Sequence, residues 1–251
     1  MEDGFRGLGR EKELLRTVLA AVFPDRCSGC GSEGPVMCDG CRAKISGRLA
    51  AVFVCPGCGR HTALLGRCGR RLCGKSPLDG AVYLGSYAEP ALGTLLRRWK
   101  YEGGLAEGRA LLGLCRAAWD SSPFWRGLAP LAVAVPVPLH PYRLALRGFN
   151  QAAVLARAFA EHFGTECEVG LLRRRFSLRR QAATPEADRR RLRAGSFAAR
   201  LGQSVPPSCL LVDDVLTSGA TLNDCAAALK TAGARQVYAL AVLRGGPGLG
   251  R

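Results

Sequence analysis

Beyond residue 76 the apolar positions fall into two alternating patterns. Short, nearly continuous apolar runs at 81–87, 131–137, 209–212 and 237–243 read as strands, those at 131–137 and 209–212 as buried ones. Between them apolar side chains recur at helical spacing: Leu92, Leu95, Leu96 and Trp99, then a stretch over 105–119. Further on, Leu155, Phe159 and Phe163 share a face behind Asn150 as cap, and Leu222, Cys225, Ala226 and Leu229 form another inward stripe. Strand alternating with helix predicts an α/β fold with a mostly parallel sheet flanked by helices. One more helical pattern, Leu15, Val18, Leu19 and Val22, precedes Pro24. From 24 to 75 neither period persists, and glycines and polar turns replace it. The expected division is a small unit over 1–75, a leading helix with cysteine-rich turns, and an α/β domain over 76–251.

At 251 residues the chain has room for one ordinary domain and a small appendage. With 48% apolar and 22% charged residues it can bury a core, which excludes wholesale disorder. No apolar run approaches the ~18 residues needed to span a bilayer. The apolar stretch at 14–23 contains Arg16 and follows Glu11 and Glu13, so neither a membrane span nor a secretory signal is expected. A cytoplasmic location follows.

Eight of the twelve cysteines fall between 27 and 73, as Cys27-x2-Cys30, Cys38-x2-Cys41, Cys55-x2-Cys58 and Cys68-x4-Cys73. Two-residue gaps let both thiolates of a pair face one tetrahedral ion, and the interleaved glycines tolerate the tight turns this requires. Structural zinc is the expectation, at one or two sites, with an iron–sulfur cluster or a disulfide staple as alternatives. The first set, Cys27, Cys30, Cys38 and Cys41, is regular. In the second, Cys55, Cys58, Cys68 and Cys73, the wider last gap admits His61 as a competing ligand.

The formal charge is +16, and all but five of the basic residues are arginine. An anionic partner is expected. Ten arginines lie between 173 and 200, opposed only by Glu186 and Asp188, so this segment alone holds +8.

The densest chemistry lies at 210–221, LLVDDVLTSGAT, where a buried strand ends in two carboxylates and turns through Thr-Ser-Gly into a helix. In an open parallel sheet the C-terminal strand edge is where ligands bind. The turn Leu216, Thr217, Ser218, Gly219, Ala220 and Thr221 offers backbone N–H groups, hydroxyls and a helix N-terminus, a phosphate cradle. Asp213 and Asp214 would repel that phosphate unless they face ribose hydroxyls or a metal. A Walker-type loop with its lysine is absent, which disfavours a nucleoside triphosphatase. The plainer alternative is a strand end and a hydroxyl cap.

The segment resembles the PRPP-binding motif of type I phosphoribosyltransferases, and most of the chain resembles the ComF family of competence-associated phosphoribosyltransferase-like proteins. The cysteine pairs, VPVPLHPYRLALRGFNQ at 135–151 and the arginine-rich 173–197 carry the wider likeness. The resemblance implies a type I phosphoribosyltransferase fold behind a double zinc ribbon, with PRPP and Mg²⁺ bound. By it, Asp213 and Asp214 hold the ribose, 216–221 the 5′-phosphate, and Leu139, His140 and Arg143 the pyrophosphate. Arg179, Arg180, Gln181 and Arg189 then belong to a loop that closes on the site, although Thr184 and Leu192 depart from the family pattern. The implied reaction transfers phosphoribosyl to a nitrogen acceptor with release of pyrophosphate. That acceptor is not legible, and Trp99, Lys100 and Tyr101 are a candidate wall for it. A second implication is a non-catalytic factor that binds single-stranded DNA or DNA-uptake proteins through the same fold; the +16 charge suits it, whereas 7% aromatic residues supply few stacking platforms.

Overall fold

The computed structural model describes residues 25–102, 104–175 and 195–246. The expected helix at 10–22 and the residues Arg179, Arg180, Gln181 and Arg189 lie outside them.

Five strands form the central sheet: β1 (Val52–Val54), β2 (Gly80–Ser86), β3 (Val133–Pro136), β6 (Ser208–Leu216) and β7 (Gln236–Arg244). Their order is β1-β2-β7-β6-β3, and every pairing is parallel except that of β1 with β2. The strand from the cysteine-rich region thus caps one edge of the sheet. A separate two-stranded antiparallel sheet joins β4 (Leu172–Arg174) to β5 (Phe197–Ala199). It forms the stem on either side of the arginine-rich segment.

The period of two along β6 sorts its side chains to opposite faces. Leu210 and Val212 join one apolar cluster with α1 (Asp39–Ser46), α2 (Pro90–Tyr101), α3 (Leu105–Asp120), α4 (Pro123–Leu128) and α6 (Gln151–Phe163). Cys209 and Leu211 join the other, with α7 (Ala220–Thr231), β4 and β5. The helical stripes fall as their spacing predicts: Leu92, Leu95, Leu96 and Trp99 are all buried, as are Leu222, Cys225, Ala226 and Leu229. Trp119, Trp125 and Phe159 anchor the first face with edge-on ring contacts.

Two boundaries differ from the pattern. Leu131 closes a short 3-10 turn and is exposed, so β3 begins at Val133. β6 does not stop at its carboxylates. It continues to Leu216 because β7 still pairs with it through Leu216↔Arg244.

Asp79 ties the cysteine-rich region to this sheet. Its Oδ2 accepts from Lys230 Nζ at 2.7 Å and the Val237 N–H at 2.8 Å, and its Oδ1 accepts from Arg67 at 3.1 Å. Asp79→Ala strands the Val237 N–H and two cations at once, so chemical denaturation should show a loss of about 2–3 kcal/mol.

Candidate functional site

In each four-cysteine set the ligand atoms lie within 4.8 Å of one another. The sulfurs of Cys30 and Cys38 lie 3.8 Å apart, and those of Cys58–Cys68 and of Cys68–Cys73 lie 3.6 Å apart. A tetrahedral ion with ~2.3 Å metal–sulfur bonds has an edge of about 3.8 Å, whereas a disulfide requires about 2.05 Å. All eight cysteines are free thiols, and both sets could bind zinc. Burial pushes the Cys27 thiol up, but N–H groups of Cys38, Cys30 and Gly29 outweigh it and hold it at about 6. The same balance holds Cys55 at about 6, burial opposed by donors from Cys68, Gly57 and Cys58. Cys41, crowded by Cys38 and desolvated, is pushed up to about 12, as is Cys73, chiefly by burial. Cys30 is lowered as well, chiefly by the Ser32 hydroxyl, so each set holds at least one thiolate formed early beside one thiol that ionises late, a burden that a divalent ion relieves. His61 is not among these ligands; its Nε2 lies 3.1 Å from the Tyr83 hydroxyl.

The carboxylates sit where β6 outruns its neighbour. β3 ends with Pro136 opposite Val212, so Asp213 and Asp214 keep β7 on one side and lose a strand partner on the other. Lys100, near the end of α2, places Nζ 2.8 Å from Asp214 Oδ1, with both side chains 16% exposed. Burial and the neighbouring Asp214 push Asp213 up to about 7, against the Asp214 N–H, which donates to it at 2.8 Å, and Lys100. Arg147 lies 4.6 Å over the Tyr101 ring, and Phe149 packs 5.9 Å from Trp99. The RGFN segment and the end of α2 thus wall one side of the acidic pair.

After Leu216 the chain bends through Thr217 and Ser218 to Gly219, whose φ of +73° is the left-handed region that glycine enters without steric cost. Among the described residues the N–H groups of Thr217, Ser218 and Gly219 donate to no protein group, while that of Ala220 has only the Ser218 hydroxyl at 3.5 Å. Thr217 and Ser218 are exposed. These are the unsatisfied donors of a helix start, gathered at its positive end.

The third expected group reaches the same sheet edge without joining the other two. Leu139 and His140 follow β3, but Arg143 lies on α5 (Pro141–Arg147), not in a loop, because His140 caps that helix by accepting from the Tyr142 N–H at 3.2 Å. Arg143 is exposed, and no ion pair joins it to Asp213 or Asp214 among the described residues. Asn150 caps α6 by accepting from the Ala152 N–H, and its Nδ2 donates to the Val137 carbonyl. Gln151 is buried, accepting from Arg147.

The chain is similar to Competence protein F of Haemophilus influenzae, 26% identical over 229 residues that cover 88% of this chain and 98% of that protein. It is also similar to Competence protein ComFC of Streptococcus pneumoniae, 33% identical over 113 residues, 44% of this chain and 47% of that protein. These two relatives support a place for the chain in the ComF family. No protein-family model matches it.

In this chain, three residues beside the site carry no motif of their own. Lys100 was visible only as part of a wall, since its carboxylate partner is 114 positions away. Asp224, one turn into α7, accepts from the Gly195 and Ser196 N–H groups at 2.7 and 2.9 Å, which pins the end of the arginine-rich segment beside the turn. Asn223 joins Gly219 to the second cysteine set. All three depend on long-range packing that local spacing does not encode.

Metal analysis of protein purified without chelator should give two zinc ions per chain, and Cys68→Ser should leave one; iron with visible absorbance would overturn the assignment. The Asp213 carboxyl yields a second prediction. Its folded pKa of about 7 exceeds the ordinary 3.8, so between these values the native state holds the extra proton and loses stability as pH rises. In urea melts across that range, the stability of Asp213→Asn relative to the parent should climb from about pH 4 to about pH 7 and then level. A flat difference would mean that the carboxyl is not held protonated.

Proposed function

We propose that this protein is a cytoplasmic PRPP-binding phosphoribosyltransferase-like member of the ComF family that serves DNA uptake, with a zinc-ribbon unit over 1–75 and a type I phosphoribosyltransferase unit over 76–251. One observation carries the reading. On the single strand β6, two carboxylates stand just past the end of β3, and three residues later the chain enters a left-handed turn with open N–H donors. Anion cradle and hydroxyl acceptors are thereby set side by side at the C-terminal edge of a parallel sheet. The competence role rests on the names of the two relatives.

In this reading the 5′-phosphate lies on the N–H groups and hydroxyls of 217–221, and the ribose 2′- and 3′-hydroxyls donate to Asp213 and Asp214. Lys100, paired with Asp214 at 2.8 Å, offsets its repulsion of the phosphates. Arg143 and the residues after β3 face the diphosphate, and Arg179, Arg180, Gln181 and Arg189 belong to the segment launched from the β4–β5 stem. A nitrogen lone pair bonds to ribose C1 as the C1–O bond to pyrophosphate breaks, with the charge departing on pyrophosphate. Carboxylate oxygens are fitting donors for Mg²⁺, which supplies charge neutralisation on the leaving group when bound.

Asp213→Asn combined with Asp214→Asn keeps size but removes the acceptor charge. Calorimetry with PRPP and Mg²⁺ should show affinity falling at least about tenfold, or about 1.4 kcal/mol, with zinc content unchanged and sulfate binding retained. Undiminished PRPP binding would sink the ribose assignment. Pyrophosphate release from a panel of amines and bases would identify the acceptor class.

A further inference from the structure

The donor turn is held from behind by the second cysteine set. Asn223 donates from Nδ2 to the Gly219 carbonyl at 3.0 Å and to the Pro56 carbonyl at 3.4 Å, and its Oδ1 accepts from the Ser76 hydroxyl at 2.6 Å. Pro56 directly follows Cys55, and Ser76 lies three residues past Cys73, so both partners are anchored by members of one four-cysteine group. The opposite end of that loop is tied as well: Arg244 donates to the Gly59 carbonyl at 3.0 Å, and the next residue, Gly245, donates to the Leu216 carbonyl at 2.9 Å.

A peptide unit is planar and trans, so the Gly219 carbonyl and the Ala220 N–H point in opposite directions. The Gly219 carbonyl accepts from the Asn223 N–H at 2.9 Å and from Asn223 Nδ2 at 3.0 Å, and together these hold the peptide and so set the direction of the Ala220 N–H. The loop can transmit position because it has little slack. A Cβ at Gly57 would stand 2.7 Å from Cys73 Cα, and the cleft between Pro56, Gly57, Gly219, Asn223 and Arg244 is narrow, about 40 Å³. Leu64 and Leu72 are exposed, so this stretch owes its shape to its cysteines more than to a core.

We infer that Asn223 is a positioning residue through which the second four-cysteine site shapes the anion-binding turn, so that metal at Cys55, Cys58, Cys68 and Cys73 and an anion at 217–221 strengthen each other's binding. The inference rests on the reading of the turn as a phosphate site. Linkage makes the effect reciprocal: whatever factor the metal contributes to anion affinity, the anion returns to metal affinity. Among the described residues the first cysteine set has no hydrogen bond to Asn223 or to the turn, and it serves as an internal control.

The test is zinc affinity of the full chain, measured by equilibrium competition with a chelator, with and without saturating ribose 5-phosphate. One of the two zinc ions should bind about fivefold tighter in the presence of the sugar phosphate, the low end of ordinary coupling, while the other is unmoved. Asn223→Ala should abolish that gain and weaken ribose 5-phosphate binding. Ser76→Ala, which removes one arm and leaves Asn223 in place, should reduce the gain. If ribose 5-phosphate binds and neither zinc responds, the coupling is wrong and the PRPP reading stands. If Asn223→Ala keeps the full gain, Asn223 is not the link. If neither ribose 5-phosphate nor PRPP binds, both this inference and the proposed function fall.

Discussion

The candidate site exists because β6 is longer than β3. Up to Val212 the strand has hydrogen-bonding neighbours on both sides; beyond it only β7 continues. That one-sided support is rigid enough to hold the backbone of Asp213 and Asp214 in line, and open enough to leave a crevice where a third strand would have been. α2 and the RGFN segment then close the crevice from the side with Lys100, Tyr101 and Arg147. A sheet whose strands all ended level would have buried the carboxylates in the ladder or released them into a loop.

Charge is distributed with the same economy. In a chain of formal charge +16, two adjacent carboxylates persist at the sheet edge because one is paired with a lysine and the other is held near neutrality by burial and by its neighbour. The pair is thus less repulsive toward a phosphorylated ligand than two free carboxylates would be. The thiol sets show a similar division, each with a sulfur lowered by backbone donors and a sulfur raised by burial and by its companions.

The cysteine-rich region is part of the sheet's framework and not a tether beside it. β1 pairs along β2, Arg67 shares Asp79 with Lys230, and Asn223 reaches back to Pro56 and Ser76. Metal-dependent folding of that region would therefore be felt at the strand edge where the turn lies.

Much of this was legible from local periods. Helical stripes such as Leu92, Leu95, Leu96 and Trp99, and the apolar run of β6, follow from short-range spacing, as do the two cysteine tetrads, since paired turns need only local geometry to converge. Strand ends were not legible: β6 outlasts its apolar run because β7 supplies hydrogen bonds through Arg244, and β3 starts late because Leu131 is used in a turn. Arg143 read as a loop cation, yet His140 and Pro141 start a helix beneath it. Lys100 on Asp214, Asp224 on Gly195 and Asn223 on Pro56 join residues far apart in sequence, and their distances are set by how helices pack on the sheet. Sequence by itself determined which chemistry the chain carries and the order of its elements, because those depend on neighbours within a few residues. Only the tertiary structure decided which groups face each other, because that depends on where each strand stops.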